Sequence, residues 1–451
     1  MSSILLRNAE CVVTMDEDRR EIAGGGVYID DGRIVAVGPT EGLPREADET
    51  LDLTGHVLMP GLVNTHHHMF QSLTRVVGAG QDKELFGWLE NLFPVWSRLT
   101  PEMVSVSTEL AMAELLMSGC TTASDHLYIY PNGCRLDDSI EVANRVGMRF
   151  HASRGSMSMG QSDGGLPPDA MVEDEAFILK DSQRLIEAYH DSAPFSMLRI
   201  TLAPCSPYTV SAELMRETAR LARSFGTRLH THIAESRVDV DYSRERYNMT
   251  PSEYVEELGW IGEDVWHAHC VHVDGPGIDL FARTGTGVAH CPCSNMRLAS
   301  GIAPIKEMLQ KGVRVGLGVD GSASSDAGNL MNEARQAMLL QRVGGDAGAL
   351  SARKALEMAT VDGARVLGRD DIGALMPGMA ADLAAFDLNR IEYAGARHDP
   401  VAALVFCSST PSRHVIVNGK FLIKDGAFTT IDPGLLVERH NALSQAIVSG
   451  S

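Results

Sequence analysis

The chain has 451 residues, 44% of them hydrophobic and 22% charged, which excludes a disordered polymer and provides for one large α/β unit with a smaller appendage. A formal net charge of −20 excludes a general binder of nucleic-acid backbone. No apolar run approaches the roughly 20 residues of a membrane helix, and "MSSILLRNAECVVTMDEDRR" lacks a basic start followed by an apolar signal core, so a cytoplasmic protein that stays off membranes is expected.

The first stretch reads as short strands and turns. "ILLRNAECVVTM" is followed by "GGGVYIDDGRIVAVGP", where Asp31-Gly32 between two apolar runs predicts a hairpin. Short apolar strands then alternate with helices. The strand candidates are "HVLMPGLVNTHHH", "GCTTASDHL", "MRFHASRG", "LRITLAPCS", "RLHTHIAE", "DVWHAHCVH", "GVAHCPCS" and "VRVGLGVDGS", the number a (β/α)8 barrel requires. Between them lie amphipathic helices such as "SAELMRETARLARSFG", with Leu214, Thr218, Leu221 and Phe225 on one stripe and Gly226 placed to end it. The strand-and-turn texture returns in "ADLAAFDL", "ALVFCSS" and "RHVIVNGKFLIKDG", where Asn418-Gly419 predicts a second hairpin turn. The expected fold is α/β: a TIM-type barrel over residues 58–375, with residues 1–57 and 376–451 meeting in a small β-sandwich domain.

Eight scattered cysteines with no C-x-x-C pair indicate neither a disulfide framework nor a zinc ribbon. The nearest approach is "HCPCSN", but a cytidine-deaminase-type site wants P-C-x-x-C and the last position holds Met296.

Ionisable residues gather instead at the carboxyl ends of the barrel strands, where such a fold builds its active site. His66 and His68 share one face of the first strand while His67 takes the other. His232 closes the fifth strand with Glu235 three residues on, His269 sits in the sixth, and Asp320 ends the eighth. Neutral imidazoles with a carboxylate suit a divalent transition metal, zinc first and iron or manganese as alternatives. His66, His68, His232 and Asp320 are the expected ligands, and Glu235 lies close enough to move protons. His230 shares a face with His232 and competes for its role; His232 is nearer the strand end. Gln71, Trp88 and Arg154 are candidates for substrate contact, each also readable as an ordinary loop or core residue, and Cys293 is a candidate pocket neighbour.

The motifs "PGLVNTHHH", "HIAES", "HCVH", "HCPCSNMRLASGIAP", "GLGVDGSASSD" and "IGALMPGMAADLAAFD" resemble the amidohydrolase superfamily, in its deaminase and s-triazine hydrolase branch, over essentially the whole chain. Within that branch "HHHMFQSLTR", "LFGWLENLFPVWSRL" and "RGSMS" are most similar to the 8-oxoguanine deaminases. The resemblance implies that His66, His68, His232 and Asp320 bind one metal and that Glu235 and His269 act on water and substrate, with Asp320 accepting the water's proton. Superfamily members with two metals bridge them by a lysine on the fourth strand, and "LRITLAPCS" has none, so one ion is expected. It further implies hydrolytic deamination of a purine base, 8-oxoguanine to uric acid and ammonia, with s-triazines, guanine and adenosine-type compounds as alternatives. A homo-oligomer acting on a small purine-like molecule is expected; a non-catalytic scaffold is the reading of a different class.

Overall fold

In the computed structural model, which describes residues 3–450, strands from the two ends of the chain join one nine-stranded sheet. Ser3–Val13 pairs with Glu21–Asp30, which turns at Asp31 (φ 47°) and Gly32 (φ 76°) into Arg33–Pro39. At the other end His414–Val417 turns at Asn418 (φ 48°) and Gly419 (φ 76°) into Lys420–Lys424. Both turns need two consecutive left-handed residues, which is why Asp-Gly and Asn-Gly mark them in the sequence. The halves meet where His56–Pro60 lies antiparallel to Leu383–Asp387. Ile4, Leu6, Val27 and Ile29 then share a buried core with Leu383, Ala385 and Ile416.

"ALVFCSS" is not a strand: Pro400–Phe406 is a helix. Asp399 caps it by accepting from the backbone N–H of Ala402, and Pro400 opens it, signals that outweigh an apolar run too short to betray its period.

Eight parallel strands close a barrel: Leu62–Asn64, Cys120–Leu127, Arg149–Ser156, Leu198–Pro204, Arg228–Ile233, Val265–His269, Gly287–His290 and Arg314–Leu317. The first expected strand proves to be three pieces. His56–Pro60 belongs to the outer sheet, Leu62–Asn64 to the barrel, and His67–His68 pairs beyond the barrel with Asp320–Gly321. Gly61 makes the first change of sheet, since a β-carbon there would lie 2.2 Å from the Thr121 side chain. Asp320 correspondingly lies past the eighth strand rather than at its end, its N–H bonded to the His66 carbonyl at 3.1 Å. This two-residue extension brings the histidine run and Asp320 together.

Ala212–Phe225 is the expected helix, capped by Ser211 and ended by left-handed Gly226. Its buried stripe is Leu214, Met215, Thr218, Ala219 and Ala222; Leu221 is half-buried, and Phe225, the last helical residue before the left-handed Gly226, is exposed. Among the described residues no helix is long and apolar enough to cross a membrane.

Candidate active site

At the carboxyl ends of the barrel strands, four buried side chains converge. The Nε2 atoms of His66 and His68 lie 3.2 and 3.1 Å from Nε2 of His232, and 3.1 and 3.4 Å from Oδ1 of Asp320. Hydrogen bonds on the far side of each ring fix which nitrogen carries the proton. A carbonyl can only accept, so His68 donates from Nδ1 to the His126 carbonyl (2.7 Å) and His232 from Nδ1 to the Cys205 carbonyl (2.5 Å). His230 donates from Nδ1 to the Trp266 carbonyl (2.9 Å), which leaves its Nε2 to accept from Nδ1 of His66 (2.8 Å). Three bare Nε2 lone pairs and an ionised carboxylate therefore face one point, and burial keeps all three imidazoles below their ordinary pKa, hence neutral. Although burial opposes its ionisation, Asp320 is held well below the usual carboxylate range.

Such a set is repulsive without a cation and fits a divalent metal ion. Donors about 2 Å from one tetrahedral centre stand about 3.3 Å apart, as these do. His230 thus belongs behind the site, holding the tautomer and orientation of His66.

Beside the cluster, Nε2 of His269 lies 3.5 Å from Oε2 of Glu235 and 4.0 Å from Oδ2 of Asp320. Nδ1 of His269 donates to Oδ1 of Asn295 at 3.0 Å, and the Ser324 hydroxyl donates to Oδ2 of Asp320 at 2.9 Å. Burial pushes the Glu235 carboxyl up to about 8. Burial alone would lower His269, but Glu235 and Asp320 outweigh it and raise its pKa, so the pair retains a proton near neutral pH. Ala234 (φ 48°), His269 (φ 67°) and Asp320 (φ 58°) are all left-handed, a costly conformation for residues with side chains; Ala234 follows its strand, His269 ends one, and Asp320 opens the two-residue extension.

A cavity of about 330 Å³ opens over His68, His232, Glu235, His269 and Asp320. Gln71 and Trp88 line it as well. Gln71 is carried on the short 3-10 helix Met69–Thr74 directly after His68, and its buried Oε1 has no hydrogen-bond partner. Trp88, on helix Leu85–Trp96, stands edge-on to Trp96 with ring centroids 5.3 Å apart. Arg154 lies outside the cavity wall: its guanidinium makes two bonds to Glu173 (2.8 and 2.9 Å), one to Asp181 (3.2 Å), and covers the Tyr130 ring. Cys293 is likewise outside the wall, its backbone N–H bonded to Glu333. Residues not singled out from sequence include Tyr128 and Tyr208 in the wall, Asn295 behind His269, and Ser324 on Asp320. Only "HCPCSN", already conspicuous, pointed toward Asn295.

The chain belongs to the amidohydrolase family, which it matches over residues 57–422. It is a hydrolase of that superfamily acting on carbon–nitrogen bonds. It is 45% identical to 8-oxoguanine deaminase of Pseudomonas aeruginosa, over 95% of this chain and 96% of that one. To hydroxydechloroatrazine ethylaminohydrolase of Pseudomonas sp. strain ADP it is 36% identical, over 100% and 97%. Among solved structures, atrazine chlorohydrolase of Arthrobacter aurescens TC1 complexed with zinc superposes with a TM-score of 0.94 at 35% identity, covering 98% of this chain and 100% of that one.

Proposed function

We propose that this enzyme deaminates a free purine base, 8-oxoguanine, to uric acid and ammonia. The observation that carries this reading is the 45% identity to an 8-oxoguanine deaminase along nearly the full length of both chains. The site is compatible with it: a cavity of about 330 Å³ is ample for a bicyclic base, and the unpartnered Oε1 of Gln71 offers an acceptor to a purine edge.

His66, His68, His232 and Asp320 are the residues that would hold one zinc ion, since Nε2 of His66 and of His68 each lies within 3.4 Å of both Nε2 of His232 and Oδ1 of Asp320. When bound, such an ion supplies Lewis acidity that brings the ionisation of a water near neutral pH. The remaining steps fall to the side chains. Oδ2 of Asp320 takes a proton from the water as its oxygen attacks the ring carbon bearing the amino group. Glu235, kept protonated by burial, gives its proton to the adjacent ring nitrogen. His269, whose Nδ1 is fixed by Asn295 and whose raised pKa favours the imidazolium, donates from Nε2 toward the oxygen as negative charge develops there. Asp320 then passes its proton to the amine, ammonia leaves with the bonding electrons, and the second proton of the water returns to Glu235 as the carbonyl forms.

8-Oxoguanine differs from guanine by a carbonyl at C8 and a hydrogen on N7. A pocket paired to both rejects guanine strongly, because buried polar groups are then left without partners. The test is ammonia release compared as kcat/KM over 8-oxoguanine, guanine, isocytosine, adenosine and aminotriazines. Preference for 8-oxoguanine is expected; any other compound outperforming it by tenfold overturns the assignment.

A further inference from the structure

At the opposite, amino-terminal end of the barrel, the interior is lined by arginine. His230 and His232 face inward, so Arg228, two residues before His230, does too. Register carries the same face around the barrel: Arg228 pairs with Thr201, two residues from Arg199; Arg199 pairs with His151, two residues from Arg149. Trp266, paired with His230, leads through Gly287 to Arg314. Arg149, Arg199, Arg228 and Arg314 therefore enter the barrel floor from the third, fourth, fifth and eighth strands, and the segment following Val366 adds Arg369.

Two carboxylates form ion pairs with these five charges, and both are already engaged, while Asp191, Glu263 and Asp264 act on Arg199 and Arg228 only from beyond ion-pairing distance. Asp382 accepts two bonds from Arg149 (2.8 and 2.9 Å) and Asp371 two from Arg369 (2.7 and 2.8 Å). Among the described residues Arg199, Arg228 and Arg314 have no carboxylate within ion-pairing distance and bond only neutral oxygens. Arg199 donates to the Ser196 hydroxyl and the Gly368 carbonyl, each at 3.1 Å, and Arg228 to the carbonyls of Glu263 and Val366 at 2.5 and 3.0 Å. Arg314 donates to the Gly285 carbonyl. One layer deeper, His151 is 1% exposed and both its ring nitrogens lack a protein partner; so does the buried Nε of Arg228.

A neutral acceptor would fill the missing bonds and leave the charge. Burial together with Arg369 pushes Arg199 down to about 10, and burial together with Arg314 does the same to Arg228. A guanidinium does not give up its proton in proteins, so an anion placed among these groups would relieve the repulsion and supply the missing acceptors. We propose that the barrel floor binds a small inorganic anion between Arg199 and Arg228, beneath His151. The half-buried state of Arg199, Arg228 and Arg314 leaves it a way in from solvent.

Crystals of the metal-loaded enzyme soaked in sodium bromide should give an anomalous peak within hydrogen-bonding reach of the Arg199 and Arg228 guanidinium groups. Crystals grown in inorganic phosphate form the second arm: density there with phosphate but no bromide peak identifies an oxyanion site, the reverse a halide site. Absence of both overturns the proposal. In solution, exchanging isethionate for chloride or phosphate at constant ionic strength should raise the melting temperature saturably, by about 1.5 °C at ten times Kd. Arg199→Gln should abolish that rise. A rise that is linear, or identical in Arg199→Gln, is a general salt effect and also overturns it; if the variant does not fold, the bromide peak decides alone.

Discussion

The side-chain oxygen of Gln71 occupies the space that a β-carbon on Gly321 would need, 1.8 Å from where that carbon would be. The glycine follows Asp320 directly, so one backbone segment carries both a candidate metal ligand and the clearance for a candidate substrate contact. Gly321→Ala should push the Gln71 amide aside while leaving Asp320 in place. Metal content should be unchanged and kcat/KM lower by about tenfold, the worth of one hydrogen bond. Steady-state kinetics alongside elemental analysis check this; loss of metal would mean the alanine disturbs Asp320 instead.

Glu235 and His232 should separate cleanly. Glu235→Gln keeps shape and removes the transferable proton, so metal should persist while turnover drops by a factor of about 100 or more. His232→Ala removes a donor and should lose the ion. Full activity of Glu235→Gln would remove this residue from the mechanism.

The pH dependence follows from the same carboxyl. Its pKa, raised from 4.5 to about 8 by burial, makes Glu235 an acid at neutral pH that is lost as pH rises through about 8. The kcat/KM profile should therefore fall on the alkaline side, and Glu235→Gln should lack that limb. A wild-type profile flat to pH 10 would contradict the acid role.

His230 fixes the proton on His66 without facing the cluster. His230→Phe should weaken metal affinity by about 10- to 100-fold, the usual effect of removing a residue that orients a ligand, without abolishing it. Competition with a chromophoric chelator measures this, and unchanged affinity would sink the orienting role.

Arg154 is held by Glu173 and Asp181, so its removal should appear in stability. Arg154→Met is expected to cost about 3 kcal/mol on urea unfolding of the holoenzyme, with KM for 8-oxoguanine within twofold of wild type. A large rise in KM with unchanged stability would return Arg154 to the substrate.

What the sequence made legible was whatever repeats or has a fixed offset. Asp31-Gly32 and Asn418-Gly419 announce their turns, and His66, His68, His232 and Asp320 are recognisable because each follows a strand pattern. Pairing between distant polar residues leaves no such trace. Arg154 reads as a free cation because its partners stand 19 and 27 residues away, Glu173 in a loop and Asp181 on the helix that follows it. Asn295 is defined as a partner of His269 only once two strand ends are side by side. The break at Gly61 was hidden because apolar residues flank it on both sides and the pattern continues while the sheet changes.

The seam between His56–Pro60 and Leu383–Asp387 has a consequence for how the chain comes to be folded. Val57 and Phe386 pair across about 330 residues of intervening chain. At a synthesis rate of about 5–20 residues per second, the inner edge of the amino-terminal half-sheet waits roughly 20 s to a minute for its neighbour. Throughout that interval a row of unpaired backbone groups, flanked by Val57, Leu58 and Met59, is open to association with other nascent chains. Refolding from denaturant should accordingly be slow and concentration-sensitive, and chains shortened before Leu383 should aggregate even though every barrel strand is present.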